Sequence, residues 1–466
     1  MFRDARSSVV TLATLAVVAL NPGCRRSSPP PPQATVASAD LTPPPPPSRC
    51  EPPADGAMIS LGEDKADDEG ADSLPFAVEV GQGVATDDGF AVGALMPDKN
   101  GAKASVVTLS ALGGSSRVVP LLTAHGDTPP PRIAPAGKSL LVGVLESAAS
   151  NRRLRIGKVD AGAVTWGPSL DQSRDESLAF DLLATGSHAV AVWDDDSRDS
   201  DDGLIKLVSL DAATLTPAGS PRVVSPRGTD AEMPRLAARP GGFWLTWIRR
   251  KPEKVDDDNH EAGESPEFRW LEAVQLDERG VVVGTPRRVT SETGHVLVYD
   301  LRELPDGRAI LVFRDDDTPS GSSGGILLRV VLRPDGASEP TVLADRQLGV
   351  GVPALLPGWI AMADALAETR LARLAPSGDL ADRLESEPVL GRGEPLASRG
   401  DSLLVLRPRG KGVRLFVTRC RDQAPLPPGA SAEPPPAAPP SRPSGPASAR
   451  PKESASPGAK SARPPR

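Results

Sequence analysis

Seven short apolar runs, each led by a glycine or by a turn ending in one, punctuate this chain of 466 residues. They are Gly89-FAVGALM, Gly137-KSLLVGVL, Gly186-SHAVAVW, Gly242-FWLTWI, Gly307-RAILVF, Gly358-WIAMA and Gly400-DSLLVL. Apolar runs of this length, bounded by turn residues, read as β-strands. Successive glycines stand between 42 and 65 residues apart, and self-similarity at a period near fifty marks a propeller or a solenoid. The fourth repeat divides most clearly into four strands, A to D: Pro234-RLAARP, Gly242-FWLTWI, Phe268-RWLEAVQLDERG and Val281-VVGTPRRVTS. The pattern predicts an all-β, seven-bladed propeller over residues 50–420. A six-bladed ring is the alternative if the short, weakly patterned repeat between Gly351 and Gly393 forms no full blade.

The last repeat carries strands A (Pro395-LASR), B (Ser402-LLVLR) and C (Gly412-VRLFVTRC), after which the chain turns proline-rich with no D strand. The missing strand is expected from the other end, where Ala57-MISLG precedes the first A strand near Phe76. Such strand exchange closes the ring and removes open sheet edges. Cys420 ends strand C and Cys50 lies just before the exchanged strand, so the two are expected to form a disulfide at the seam.

Beyond these limits the composition changes. Residues 24–49 contain the runs Pro29–Pro32 and Pro43–Pro47, which favour an extended, stiff tether. The segment 421–466 is rich in Pro, Ala and Ser with basic charges, and is expected to be a disordered tail. Aromatic residues make up only 3% of the chain, so the core must rest on Val, Leu, Ile and Ala. The net charge is -8. Because both ends are basic, the body is more acidic than the whole, which argues against nucleic acid as a partner.

At the amino terminus, Arg3 and Arg6 precede the uncharged run Val9-VTLATLAVVAL. It is too short to span a bilayer, which takes about 20 apolar residues, and has the layout of a secretory signal over residues 1–23. The run ends at Asn-Pro-Gly-Cys, and Gly23-Cys24 resembles the end of a bacterial lipoprotein signal. The resemblance implies that Cys24 is lipidated and becomes the mature amino terminus, making the membrane a partner through the anchor. Arg25 after the cysteine points to the outer membrane by the same analogy. In that family a leucine stands three residues before the cysteine; here the position holds Asn21, with Leu20 one further back. Simple cleavage or an uncleaved anchor are the alternatives.

Candidate chemistry is sparse. Three acidic stretches follow B strands: Asp194, Asp195 and Asp196 in repeat three, Asp256, Asp257 and Asp258 in repeat four, and Asp315, Asp316 and Asp317 in repeat five. As B–C loops they are expected to gather on one face and to steer a cationic protein or envelope polymer. The corresponding stretch of repeat seven is basic (Arg407, Arg409, Lys411). Within the longest loop, Asp194, Asp196, Asp199 and Asp201 ahead of Gly203 alternate as a calcium-wrapping loop does, but without the bidentate glutamate of the EF-hand. No cofactor is otherwise expected. The catalytic template His-Glu-x-x-His is missing. Of the four histidines, only His125 and His295 would share a face, with Asp127 beside the first. The turns Leu304-PDGRAILVF and Arg333-PDG are similar to those in the propeller repeats of periplasmic TolB-like proteins, a resemblance that implies fold and no activity. The sequence thus points to a lipid-anchored, cell-envelope propeller acting as a binding or scaffolding module. The alternative is a polymer hydrolase or lyase with its site at the channel.

Overall fold

A computed structural model describes residues 48–53, 58–62, 78–98, 101–111, 113–124, 128–148, 151–173, 179–196, 202–252, 267–318, 325–345, 351–364, 366–410 and 412–421. The signal, Cys24, the proline-rich tether and the basic tail lie outside these residues.

Every regular element among the described residues is a β-strand, and the strands form seven antiparallel sheets, six of them built from consecutive segments of chain and the seventh from the last three strands and the first. The innermost strands are Val84–Thr86, Arg132–Ala136, Phe180–Thr185, Asp230–Arg239, Val296–Glu303, Pro353–Leu356 and Glu394–Arg399. Each touches the next around the circle, and the last touches the first, so the sheets close into a ring. The protein is therefore a seven-bladed β-propeller. The sixth blade is complete, although its strands are short: Pro353–Leu356, Trp359–Ala363, Thr369–Arg373 and the two-residue Glu385–Ser386. That brevity explains its weak sequence pattern.

Blade seven is finished by the amino-terminal strand. Ile59–Leu61 pairs with Gly412–Arg419 in the register Ile59 to Leu415, Ser60 to Arg414 and Leu61 to Val413. Cys50 and Cys420 are joined by a disulfide across a separation of 370 residues. The segment before the strand is tied down as well. Glu51 N–H donates to Arg419 O at 2.9 Å and Arg421 N–H to Arg49 O at 3.0 Å. The Arg49 guanidinium, almost fully buried, pairs with Asp382 of blade six at 2.8 Å. The clasp thus spans three partners: blade seven by pairing, blade six by charge, and Cys420 covalently.

The apolar packing lies between blades. One cluster fills each of the seven interfaces. Examples are Phe243, Leu245 and Trp247 with Val190, Val192 and Ile205 between blades three and four, and Trp359 with Phe416 and the disulfide between blades six and seven. Trp193, Trp244, Trp247 and Trp359 on second strands, and Trp270 on a third, are all buried as core.

Two of the repeated glycines show why the residue recurs. A Cβ on Gly89 would sit 2.0 Å from Leu109 O, and one on Gly242 would sit 2.0 Å from Leu276 O. Both begin the second strand of their blade, where the third strand's backbone passes too close for any side chain.

Candidate functional site

The innermost strands of a propeller present alternate side chains to the axis, and here those side chains are charged. Around the channel stand Gln82 of blade one, Arg132 of blade two, Asp181 of blade three, Arg235 of blade four, Asp300 and Arg302 of blade five, and Ser398 of blade seven. The cavity they enclose measures about 260 Å³.

The carboxylates in the channel have structural partners. Asp181 Oδ1 accepts from its neighbour's N–H, that of Leu182, at 3.0 Å, and Oδ2 accepts from Leu236 N–H on blade four at 2.8 Å. Asp300 repeats the arrangement: Oδ1 accepts from Leu301 N–H at 2.9 Å and Oδ2 from Leu355 N–H on blade six at 2.7 Å. Gln82 adds a third donor to Asp300 at 3.2 Å. The local sequences, Phe180-Asp-Leu and Tyr299-Asp-Leu, place the same residue at the same point of blades three and five. Each aspartate bridges its own backbone to the following blade, so it fixes the spacing of the ring. Tyr299 lies behind Asp300, buried, with its hydroxyl donating to Met233 O at 2.6 Å; burial pushes it far above its ordinary value.

The cations are less committed. Arg302 Nε donates to Leu355 O at 2.8 Å. Arg235 gives one N–H to Pro234 O at 3.0 Å. Arg132 makes no hydrogen bond or ion pair among the described residues. Burial and then the nearby Arg235 charge lower the affinity of Arg132 for its proton, with Asp181 and Asp300 opposing. Ser398 Oγ donates to Pro357 O at 2.7 Å.

Burial raises Asp300 above the usual carboxylate range, against the opposing pull of the Leu355 N–H. The native state therefore holds that proton to higher pH than the unfolded chain does. Its contribution to stability is complete below the unfolded value, about pH 4, and is lost as pH rises through the raised native value. Asp300→Asn cannot titrate. Urea midpoints of the wild type should fall relative to the variant as pH rises from about 4, whereas a constant offset at all pH would contradict this assignment.

The acidic triplets are placed differently from the expectation of open loops. Asp194, Asp195 and Asp196 belong to the strand His188–Asp196, and the first two are only 2% exposed. The strand runs past its apolar part because the acids find partners: Asp195 pairs with Lys206 of the adjoining strand, and Asp194 Oδ2 accepts from Met233 N–H of blade four at 3.0 Å. Asp316 is 5% exposed and holds Arg314 at 2.6 Å. Asp315 Oδ1 accepts from His295 N–H at 2.7 Å. Three of the six described acids are therefore internal, and Asp317 is the exposed one. Asp256, Asp257, Asp258, Asp199, Asp201, His125, Asp127 and Lys411 lie outside the described residues. In blade seven, Arg407 is drawn inward to Val389 O at 2.8 Å and over the Phe416 ring. The ring of His295 stacks on Phe268 and its Nδ1 faces Asp316 O at 3.2 Å. No cluster of three or more His, Cys, Asp or Glu placed to hold a metal occurs among the described residues. No described helix is long and apolar enough to cross a membrane.

No known protein family matches the chain, and no curated protein sequence does. Among solved structures, the fold is similar to the β-propeller domain of the trilobed protease from Pyrococcus furiosus, with a TM-score of 0.45 and 11% identity over 74% of this chain and 94% of that one. It is similar also to hydrazine synthase of Kuenenia stuttgartiensis, with a TM-score of 0.44 and 12% identity over 77% and 97% of the two chains. For the polysaccharide lyase Uly1 the TM-score is 0.45 and the identity 9%, over 74% and 90%. Likeness at this level carries no argument, and the propeller is read from the seven sheets themselves.

Proposed function

We propose that this protein is a lipid-anchored module of the cell envelope that binds rather than transforms its ligand. The observation that carries the reading is the commitment of Asp181 and Asp300 to backbone N–H groups of neighbouring blades. A general acid or base must reach the proton that it transfers in the substrate, and these carboxylates are spent on holding the ring. The closed, disulfide-clasped ring supports the same reading, since a rigid scaffold keeps binding groups in place. The anchor is read from Val9-VTLATLAVVAL and Gly23-Cys24, and the proline-rich segment behind it would hold the propeller away from the membrane. The outer membrane is its proposed location. The ligand-facing element in this reading is the channel, with Asp317 the exposed acid among the described residues of the acidic stretches.

The alternative, a hydrolase or lyase working at the channel, makes a different prediction. Purified protein is incubated with isolated envelope polymer and with the protein fraction of the envelope, and both retention and released products are followed. Retention without product is the expected result. Product release that disappears in Asp300→Asn would establish the enzyme and overturn the binding reading.

A further inference from the structure

We propose that the channel is an anion site in which Arg132 and Arg235 together take one small oxoanion, a carboxylate or a phosphate group. The inference rests on the binding reading for its setting and names the ligand class for that site.

Three observations lead to it. First, the innermost strands of blades two and four bring both guanidiniums to the same cavity, close enough for each charge to be felt by the other. An arrangement of like charges in a confined space calls for a counter-charge between them. Second, the protein supplies it only in part: Asp181 and Asp300 act on Arg132 as counter-charges but give neither guanidinium a hydrogen bond. The oxygens of Asp181 and Asp300 are occupied by the N–H groups of Leu182, Leu236, Leu301 and Leu355. A guanidinium has five N–H donors; Arg132 places none on a described protein acceptor and Arg235 places one, on Pro234 O. The planar fork of arginine matches two oxygens of a carboxylate or phosphate, and donors left facing a narrow channel are placed to take such a partner. Third, the space is small. At about 260 Å³ the cavity falls just below the range of roughly 300–1,000 Å³ that holds drug-sized ligands, which suits a small anion or one anionic end group.

The test uses the full protein with two probes, inorganic phosphate and acetate, each compared with sodium chloride at equal ionic strength. Thermal midpoint and calorimetric titration are the readouts. A saturable rise with phosphate alone assigns a phosphate group, and one with acetate alone assigns a carboxylate. Arg132→Gln and Arg235→Gln should each weaken the apparent affinity at least tenfold. Arg117→Gln, in the outer groove between blades one and two, should leave it unchanged. If a glutamine variant fails to fold, Arg132→Lys keeps the charge without the fork and should still lose affinity. No saturable rise beyond chloride with either probe, or a rise that survives both glutamine variants, overturns the inference. Polymer or protein retention would persist in that case, so the binding reading would stand. Conversely, an anion site in a protein that releases product would leave the site intact and remove the binding reading.

Discussion

Serine at both Cys50 and Cys420 should lower the free energy of unfolding by roughly 2–5 kcal/mol. The bridge closes a separation of 370 residues, for which the chain-entropy argument alone gives about 6 kcal/mol, while measured losses on removing native bridges are smaller. The ring should not fall apart. The hydrogen bonds of Glu51 to Arg419 and of Arg421 to Arg49 remain, as does the buried pair of Arg49 with Asp382. What changes is local: the three-residue strand Ile59–Leu61 loses its covalent support and should open ahead of the rest. Urea unfolding of the double-serine variant checks the magnitude, and hydrogen exchange at Ile59–Leu61 checks the place. An unchanged midpoint, or loss of protection spread evenly over all blades, would show that the seam is not closed by this bridge.

Trp359→Ala should cost still more at the same interface. Trp359 is fully buried, its indole N–H donates to Gly400 O at 3.0 Å across the blade boundary, and the Arg373 guanidinium lies 3.7 Å from its ring centroid. Truncation of a buried tryptophan costs roughly 3–5 kcal/mol through lost burial and the cavity left behind, and the orphaned carbonyl adds about 1 kcal/mol. Phenylalanine at this position should recover most of the packing term. Trp359 shares its cluster with Cys50 and Cys420, so the two lesions should be non-additive in a double-mutant cycle. Denaturant midpoints of the four proteins measure this. Strict additivity would mean that the tryptophan and the bridge support separate parts of the ring. The contrast is Trp247, equally buried but with no acceptor for its indole N–H among the described residues; its replacement by Phe should cost the packing loss alone, with no hydrogen bond lost.

The features that could be read from the sequence are those made by neighbouring residues. Gly89 and Gly242 mark strand starts because local backbone geometry demands them. Ala57-MISLG and the two cysteines stand out because the last repeat lacks a strand before the chain turns proline-rich. The channel was not legible, since it is assembled from single polar residues of six blades far apart in sequence. Arg132, Asp181, Arg235 and Asp300 each look like an ordinary polar position of a strand. The one available signal was the repeated aromatic-Asp-Leu of blades three and five, which marks a shared structural role. The acidic stretches misled for a related reason. A run such as Trp193-DDD reads as a solvated loop, but Lys206 of the adjoining strand, paired with Asp195, and the Met233 N–H near Asp194 let the strand continue through it. Charge in sequence does not reveal whether a partner waits across a sheet or a blade boundary.

The most direct test of the whole account is the intact mass of the protein purified from its own envelope, together with detergent phase partitioning, each with and without reduction. The account predicts a chain beginning at Cys24 with added acyl mass, partitioning with detergent, and two thiols that become reactive only after reduction. A chain lacking acyl mass and found in the aqueous phase would contradict the anchored module, leaving a propeller clasped by its disulfide but free of the membrane.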